Sequence, residues 1–301
     1  MPIRIEIVAP GAEARALAAR EVARSAKKAG AGLGCFILVM TLVPLAIPGF
    51  IFLGPTLKAL VTAHFGSFPM KVDLNDSLEI DDRTETLDDT LVTVGVNGKL
   101  TIRRCHLKGA MIVAAGPNAQ ITIIDSALEG TKGILDANAP NVVLTIENST
   151  ITSAEEIVEE GSINTKVAIS KGSKLTAAGV AFPLTSNGDV SIDHSTVEGK
   201  LGGLEMKTNG KVRLTGGADV KSDGVAIDFA SNGHLQITSS KVESKTTAVH
   251  AANNLEGTLR SATLVGPKAA LDVGANARLV LAQSTVTGPK IVPRGSTVDE
   301  R

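Results

Sequence analysis

The sequence predicts an all-β fold, a parallel β-solenoid of about ten turns of 22 residues. One transmembrane α-helix and a short cytoplasmic N-terminal segment are predicted to precede it. Three observations lead to this prediction: an asparagine that recurs every 21 to 23 residues, apolar residues that alternate with polar ones after each asparagine, and a long uncharged run near the N-terminus. With 30 Gly and 12 Pro in 301 residues, collagen-like and low-complexity classes are excluded.

Residues 1–30 form a short N-terminal segment, and residues 31–57 are predicted to cross a membrane. No charged residue lies between Lys28 and Lys58, and the apolar core of this stretch, 33–53, is 21 residues long. A helix needs roughly 20 such residues to span the hydrocarbon core of a bilayer. Pro44 and Pro48 lie inside the span, where membrane helices tolerate proline better than soluble helices do.

The charges beside this span predict its orientation. Arg20, Arg24, Lys27 and Lys28 lie on the N-terminal side, so the positive-inside rule places the N-terminus in the cytoplasm. A signal peptide cleaved near residues 61–63 is the alternative, but its charged region would be unusually long, and an uncleaved anchor is favoured. We therefore expect a single-pass protein of the cytoplasmic (inner) membrane, with the part after residue 57 on the periplasmic or extracellular side.

The repeat occupies residues 75–288, after a linker or cap at 58–74. Apolar residues lie three and five positions after each asparagine, as Leu144 and Ile146 do after Asn141, and Gly257 is the exception at the first of these positions. A small residue lies eight positions after the asparagine, with Gly172 and Gly217 assigned to this position in two of the turns. The repeated asparagines are Asn75, Asn97, Asn118, Asn141, Asn164, Asn187, Asn209, Asn232, Asn254 and Asn276.

This pattern indicates three short strands per turn, joined by corners of Gly, Ser and Asn. Alternation directs one apolar set inward, and a single turn cannot bury that set alone, so the turns must stack. Equivalent asparagines would then lie about 4.8 Å apart and form a structural ladder. Pro289 and Pro293 follow the last turn and would discourage strand pairing, so residues 289–301 are expected to be a flexible tail.

The asparagine corner, the small-residue corner and the period near 22 resemble those of the right-handed parallel β-helix of the pectate-lyase-like superfamily. The resemblance covers residues 75–288 and concerns architecture only. It implies a right-handed solenoid, and it does not identify an activity. Enzymes of that superfamily carry catalytic Asp, Arg or Lys residues in a groove on one outer face, often with calcium.

Acidic residues line up in the third strand of several turns, and we name them the acidic column. Asp136 and Glu159 would be neighbours in adjacent turns, and so would Glu205 and Asp228, which suggests a calcium site or a glycosidase pair. A solvated strand face is favoured, because calcium needs six to eight oxygen ligands and no cluster of basic residues accompanies the acids. The acidic column comprises Asp136, Glu159, Glu205, Asp228 and Asp272.

Other chemistry finds little support in the sequence. Cys35 and Cys105 show no metal-binding spacing, and the five histidines are scattered singly. No phosphate-loop, zinc-protease, serine-hydrolase or dinucleotide motif is present. We therefore predict no catalytic residue, no cofactor and no metal ligand. The formal net charge of −1 argues against a nucleic-acid partner.

The favoured function is that of a non-catalytic, membrane-anchored structural or interaction module of the bacterial cell envelope. Its expected partners are the membrane and either another protein or a second copy of the chain, and it could be a subunit of a larger membrane complex. The alternative is a polysaccharide-binding or polysaccharide-degrading β-helix. Against degradation, the sequence has no Trp or Tyr, and its turns vary too little in length to build a walled groove.

Overall fold

A computed structural model describes residues 67–161 and 163–301, and in these residues the chain forms a parallel β-solenoid of about ten turns without helix. The predicted cytoplasmic segment, the predicted transmembrane helix and the first part of the linker lie outside these residues. Across the described ranges no helix has the length and apolarity that crossing a membrane requires.

The first sheet contains 13 strands. Strand numbers follow chain order through all three sheets. Its strands are β1 (Met70–Val72), β3 (Thr84–Thr86), β4 (Thr90–Val94), β6 (His106–Ala115), β8 (Ala127–Asp136), β10 (Thr150–Ser153), β11 (Glu156–Val158), β13 (Lys174–Ala177), β16 (Thr196–Gly199), β19 (Asp219–Ser222), β22 (Lys241–Ser244), β25 (Thr263–Val265) and β28 (Thr285–Thr287). Each of these strands pairs in parallel with a strand of an adjacent turn.

The second sheet runs along the whole solenoid, whereas the third sheet is confined to its C-terminal part. The second sheet contains β2 (Ser77–Asp81), β5 (Lys99–Arg103), β7 (Gln120–Ile124), β9 (Val143–Glu147), β12 (Lys166–Ser170), β15 (Asp189–Asp193), β18 (Lys211–Thr215), β21 (Gly233–Thr238), β24 (Leu255–Arg260), β27 (Arg278–Ala282) and β30 (Thr297–Glu300). The third sheet contains β14 (Val180–Ser186), β17 (Gly202–Thr208), β20 (Val225–Phe229), β23 (Thr247–Asn253), β26 (Ala269–Ala275) and β29 (Lys290–Ile291).

The third face of the rod is built differently in its two halves. In the N-terminal turns the ten-residue strands β6 and β8 continue from the first face into the third, whereas later turns use separate strands such as β16 and β17. Between β11 and β14 the ladder is interrupted. Isolated backbone hydrogen bonds join the two turns beside this gap, from Ala178 N to Ser153 O at 3.1 Å and from Gly179 N to Glu155 O at 2.9 Å. The isolated bridge between Ile163 and Ser186 is a further link.

The core is a continuous column of inward side chains. Alternation places every second residue of the second-sheet strands inside, whereas third-face strands such as β14 and β17 bury runs of consecutive residues. The predicted apolar positions are buried, as Leu144 and Ile146 illustrate at 0% exposure. Phe182 and Phe229 are the largest fully buried side chains in the described residues. Stacking of successive turns therefore buries what no single turn could bury.

Both ends of the solenoid extend beyond the predicted bounds of 75 and 288. β1 lies before Asn75 and pairs with β4. The segment 289–301, expected to be a flexible tail, instead contributes β29 and β30, which pair with β26 and β27. Pro289 and Pro293 do not prevent this pairing, because both lie outside the strands, and the carbonyl of Pro289 accepts a hydrogen bond from Ala270 N at 2.9 Å.

Candidate functional site

The predicted asparagine ladder runs along one corner of the rod, which we call corner one. All ten asparagines have positive φ values between 51° and 62°, and Asn is among the few non-glycine residues that adopt this left-handed conformation readily. The side-chain Nδ2 of each asparagine donates to the Oδ1 of the asparagine in the preceding turn, over nine links of 2.7 to 3.1 Å. The ladder thus ties adjacent turns together at the surface.

A second left-handed corner, corner two, follows seven residues after each asparagine, and the sequence analysis did not identify its conformation. The positive-φ residues here differ in type from turn to turn: Asp82, Arg104, Asp125, Asn148, Lys171, His194, Gly216, Ser239, Ser261 and Gln283. The next inward residue is small and buried in most turns, as Ser126 and Ser149 are. The backbone N–H of Ser126 donates to Ser149 Oγ of the next turn at 3.1 Å.

Two turns contain one extra residue at corner two, and there the small inward position differs from the prediction. Gly172 and Gly217 have positive φ, and a Cβ at either position would contact nothing within 4 Å, so both face solvent. The buried position is taken by Ser173 and Ala218 instead. The following apolar positions are therefore displaced by one residue.

The acidic column falls into two groups on the third face. Val158 pairs with Leu135, which brings Glu159 beside Asp136 in the adjacent turn. In the C-terminal group Glu205 pairs with Asp228. His250 lies between Asp228 and Asp272 in the same register, so the C-terminal group reads Glu205, Asp228, His250 and Asp272. Pro183 pairs with Glu205 from the preceding turn. It therefore occupies the equivalent position between the N-terminal and the C-terminal group.

His250 is hydrogen-bonded to a carboxylate of the C-terminal group. His250 Nδ1 lies 2.6 Å from Asp228 Oδ1, and this hydrogen bond raises the pKa of His250, with the charges of Asp228 and Asp272 acting in the same direction. Burial raises the pKa of Glu205, and the negative charge of Asp228 adds to that effect while Lys207 opposes it. The side chains of His250 and Asp228 are both half-exposed, so solvent screens much of the interaction between them.

The N-terminal group is more crowded with carboxylates. Burial raises the pKa of Glu159, and the neighbouring Asp136 raises it further. Burial likewise raises the pKa of Glu156. Lys207 reaches across from β17 to form a hydrogen-bonded ion pair with Glu160, which raises the pKa of the lysine.

The chemistry available to the acidic column is restricted. In the residues that the structure describes, no three His, Cys, Asp or Glu side chains are grouped so as to hold a metal ion. The acidic residues are on an outer strand face, where successive turns place side chains about 4.8 Å apart. The column is therefore best described as a half-exposed charged face in which carboxylates interact with one another, with His250 and with Lys207.

A depression that the sequence analysis did not identify lies on the second sheet, with a volume of about 560 Å³. It spans β15, β18, β21 and β24, and its lining is rich in polar and basic side chains. The residues that line it are Asp189, Lys211, Val212, Arg213, His234, Leu235, Gln236, Thr238, Glu256, Gly257, Thr258 and Arg260. One signal was available in the sequence, because Gly257 breaks the apolar repeat where the depression lies.

A row of apolar residues borders the asparagine ladder in the N-terminal half. Each member directly precedes a ladder asparagine. From Val96 onward, its carbonyl also accepts the backbone N–H of the asparagine in the preceding turn, as between Asn75 N and Val96 O at 3.0 Å. Leu74, Val96 and Ile163 are 63%, 39% and 46% exposed, which is unusual for large apolar side chains. We define the apolar row as Leu74, Val96, Pro117, Pro140 and Ile163.

Comparison of the chain with protein-family models, with curated proteins and with solved structures finds no match.

Proposed function

We propose that the chain is a non-catalytic, membrane-anchored β-solenoid that acts as a structural or interaction module of the bacterial cell envelope. The solenoid would be a right-handed parallel β-helix on the outer side of the cytoplasmic membrane. Right-handed connection is the strong preference between parallel strands of one sheet, and the asparagine and small-residue corners agree with the pectate-lyase-like architecture.

The apolar row is the observation that carries this proposal. It continues over five adjacent turns, and large exposed apolar patches usually mark contact surfaces. The equivalent positions of the C-terminal half are mostly polar, as Ser186, Thr208 and Ser231 show. Contact with a protein partner, or with a second copy of the chain, would thus be made by the half of the rod that follows the predicted anchor.

The predicted anchor rests on the sequence alone. The uncharged run between Lys28 and Lys58 has the length of a membrane span, and the cations before it favour a cytoplasmic N-terminus. Such an arrangement would tether the solenoid to the membrane on its outer side, where other envelope proteins are potential partners.

The acidic column gives little support to the alternative of a degrading enzyme. Glycosidases place two carboxyl groups so that they flank the scissile bond of a bound sugar. Here the carboxylates follow one another along a half-exposed strand face, and Asp228 is hydrogen-bonded to His250.

The experiment that tests the interaction compares two double variants of the full chain in bacterial membranes. Val96→Lys with Ile163→Lys introduces charge into the apolar row, and Thr208→Lys with Ser231→Lys introduces the same charge at the equivalent polar positions. After chemical cross-linking and detergent extraction, we expect wild type and the Thr208/Ser231 variant to migrate as a larger complex. The Val96/Ile163 variant is expected to migrate as a single chain.

Two results would contradict the interaction role. One is a wild-type chain that stays monomeric by light scattering over a hundredfold range of concentration and captures no cross-linked protein. The other is equal loss of the complex in both variants. The anchor is tested separately by alkaline carbonate extraction, since a tethered chain stays in the membrane pellet, and by added protease, which reaches the solenoid only from the outer side.

A further inference from the structure

The ladder asparagine of the first turn differs from the other nine in its side-chain hydrogen bonding. Asn97 Nδ2 donates to Asn75 Oδ1 at 2.8 Å, but Asn75 has no ladder asparagine before it. Its Nδ2 therefore finds no hydrogen-bond acceptor among the described residues, whereas the Nδ2 of every later ladder asparagine donates. Asn75 is also exposed, so its amide group lies at the surface of the first turn.

The residues around Asn75 form an acceptor motif for N-linked glycosylation. Asn75, Asp76 and Ser77 have the pattern Asn-X-Ser, in which the asparagine amide receives the sugar. Asp73 lies two positions before the asparagine, and an acidic residue there extends the motif to the form that acceptor sites of bacterial proteins have. Asp73 and Ser77 are exposed, and the Asp73 carboxylate forms a surface ion pair with Lys71, with 3.6 Å between Oδ1 and Nζ.

The second such motif in the sequence, at Asn148, lacks these features. Asn148 lies at corner two, and its Nδ2 donates to Asp125 Oδ1 at 2.6 Å. Ser149, the middle residue of the motif, is buried, and the core residue Ile146 stands where the acidic residue would be. The strands on either side, β9 and β10, each pair with strands of both neighbouring turns. Asn148 is therefore held inside the stack, and Asn75 is the accessible acceptor.

The corner at Asn75 also opens at a lower cost than the corners inside the rod. A transferase must seat the acceptor segment in its own active site, away from the solenoid. β1 and β2, on either side of Asn75, each pair with a single strand of the described residues, β4 and β5. Lifting Asn75 breaks one ladder bond, whereas an interior asparagine such as Asn254 loses two. End turns of a stacked array contact one neighbour only, so they open locally more readily than interior turns.

We propose that Asn75 is a site of N-linked glycosylation, with an oligosaccharide carried on a polyprenyl pyrophosphate as the donor. Asn75 Nδ2 forms a bond to the anomeric carbon of the first sugar, the bond from that carbon to the pyrophosphate oxygen breaks, and the amide releases one proton to solvent. The polyprenyl pyrophosphate leaves, and Asn75 Oδ1 still accepts from Asn97. This site rests on the proposed function, because such transferases act on the outer side of the cytoplasmic membrane.

The test uses the purified full chain in nonionic detergent, a purified bacterial oligosaccharyltransferase and its polyprenyl-pyrophosphate-linked oligosaccharide. We expect wild type to gain the mass of one oligosaccharide, located at Asn75 by mass spectrometry of its peptides. Ser77→Ala removes the motif while the ladder asparagines stay in place, and it should abolish the gain in a chain that circular dichroism shows to be folded. Ser77→Thr should retain the gain. A synthetic peptide of residues 71–79 verifies that the enzyme is active.

A matched control places the same motif at an interior turn of the ladder. Ala252 and Glu256 are exposed on either side of Asn254, and Ala252→Asp with Glu256→Ser reproduces the acidic-X-Asn-X-Ser pattern there. Asn254 Nδ2 donates to Asn232 Oδ1 at 2.9 Å, and the adjoining strands β23 and β24 are paired on both sides. Both motifs are then present in one chain, and modification at Asn254 should be at least about tenfold slower than at Asn75.

Three results would overturn the proposal: a folded wild-type chain that gains no mass although the peptide does, an unchanged gain in Ser77→Ala, or equal rates at Asn75 and Asn254. The reaction in detergent does not depend on membrane orientation, so its failure would leave the predicted anchor untouched. A solenoid found on the cytoplasmic side would contradict the proposed function, and with it modification in the cell, without changing the result in detergent.

Discussion

The two corners of each turn share a left-handed backbone conformation, but they restrict different residues. Corner one restricts the type of the outward residue, and corner two restricts the type of the inward residue that follows it. At corner one the outward residue is always asparagine, while the buried residue after it varies from Gly98 to Val142 to Leu255. At corner two the outward residue varies widely, while the buried residue after it is almost always Ser, Ala or Cys.

Backbone hydrogen bonding explains the difference at the inward positions. At corner one of the early turns the inward N–H closes a tight turn within its own coil, as from Gly98 N to Gly95 O at 3.0 Å. At corner two the inward N–H reaches the serine hydroxyl of the next turn, as from Cys105 N to Ser126 Oγ at 3.1 Å. A buried N–H needs a hydrogen-bond acceptor, so the inward residue at corner two is restricted mainly to serine, whose hydroxyl accepts this bond.

The two turns with an extra residue differ from each other in this respect. Ser173 N donates to Ser170 O of its own coil at 3.3 Å and also to Ser195 Oγ of the next turn at 3.1 Å. Ala218 N donates to Thr215 O of its own coil at 3.1 Å.

The largest effect is expected from replacing a ladder asparagine. Asn187→Leu removes two amide hydrogen bonds, worth about 0.5–1.5 kcal/mol each, and places a branched side chain in a left-handed conformation at a cost of about 1–2 kcal/mol. We expect a loss of about 2–5 kcal/mol in the free energy of unfolding, measured by urea titration with circular dichroism. His194→Leu at corner two should lose about half as much, and equal losses would remove the distinction between the corners.

A smaller effect is expected from removing one buried hydroxyl at each corner. Ser149 Oγ accepts the N–H of Ser126, so Ser149→Ala leaves a buried donor unpaired and should cost about 1–3 kcal/mol. Thr165 Oγ1, at corner one, is buried with no hydrogen-bond partner among the described residues. Thr165→Val should therefore be neutral or slightly stabilising in the same titration, and a loss equal to that of Ser149→Ala would contradict the explanation.

The smallest effect is expected from replacing Asp193, and its size should depend on pH. Hydrogen bonds from His194 and Thr215 lower the pKa of Asp193 at corner two below its usual value of 3.8. A lowered pKa stabilises the fold above the usual Asp range, and this contribution disappears as the pH falls through the lowered pKa. Asp193→Asn should thus cost less than about 1 kcal/mol at neutral pH and nothing at strongly acidic pH.

The control for this prediction is corner one, where the ladder amides do not titrate. The cost of Asn187→Leu should be the same at both pH values. A cost of Asp193→Asn that persists in strong acid would show that its carboxylate charge is not what stabilises corner two.

The solenoid could be predicted from the sequence because both of its main signals recur in every turn. Asparagine at corner one and the apolar pairs such as Leu144 and Ile146 are required by backbone conformation and by burial, so each turn repeats them. The pairing of Glu205 with Asp228 followed from that register. The paired tail was not predicted, since the prolines were expected to end pairing and the sequence alone did not place them at corners.

The depression and the left-handed residues of corner two could not be predicted in the same way. Ten different positions at corner two carry eight residue types, because the constraint acts on the neighbouring inward residue. Arg213 and Arg260 face outward, where no packing rule imposes a period. Gly257 was visible as an exception in the repeat, but a missing apolar residue does not by itself indicate which polar side chains surround it.

The interrupted ladder between β11 and β14 has a mechanical consequence. At this level two faces of the rod are joined by continuous strand pairing, and the third by isolated bonds such as that from Gly179 to Glu155 and by the Ile163 to Ser186 bridge. Bending stiffness in a stacked rod comes from the bonds between successive turns, so among the described turns we expect bending to be easiest at this level. The same level is a natural boundary between two units of cooperative opening, with slow amide exchange on either side and faster exchange at the seam.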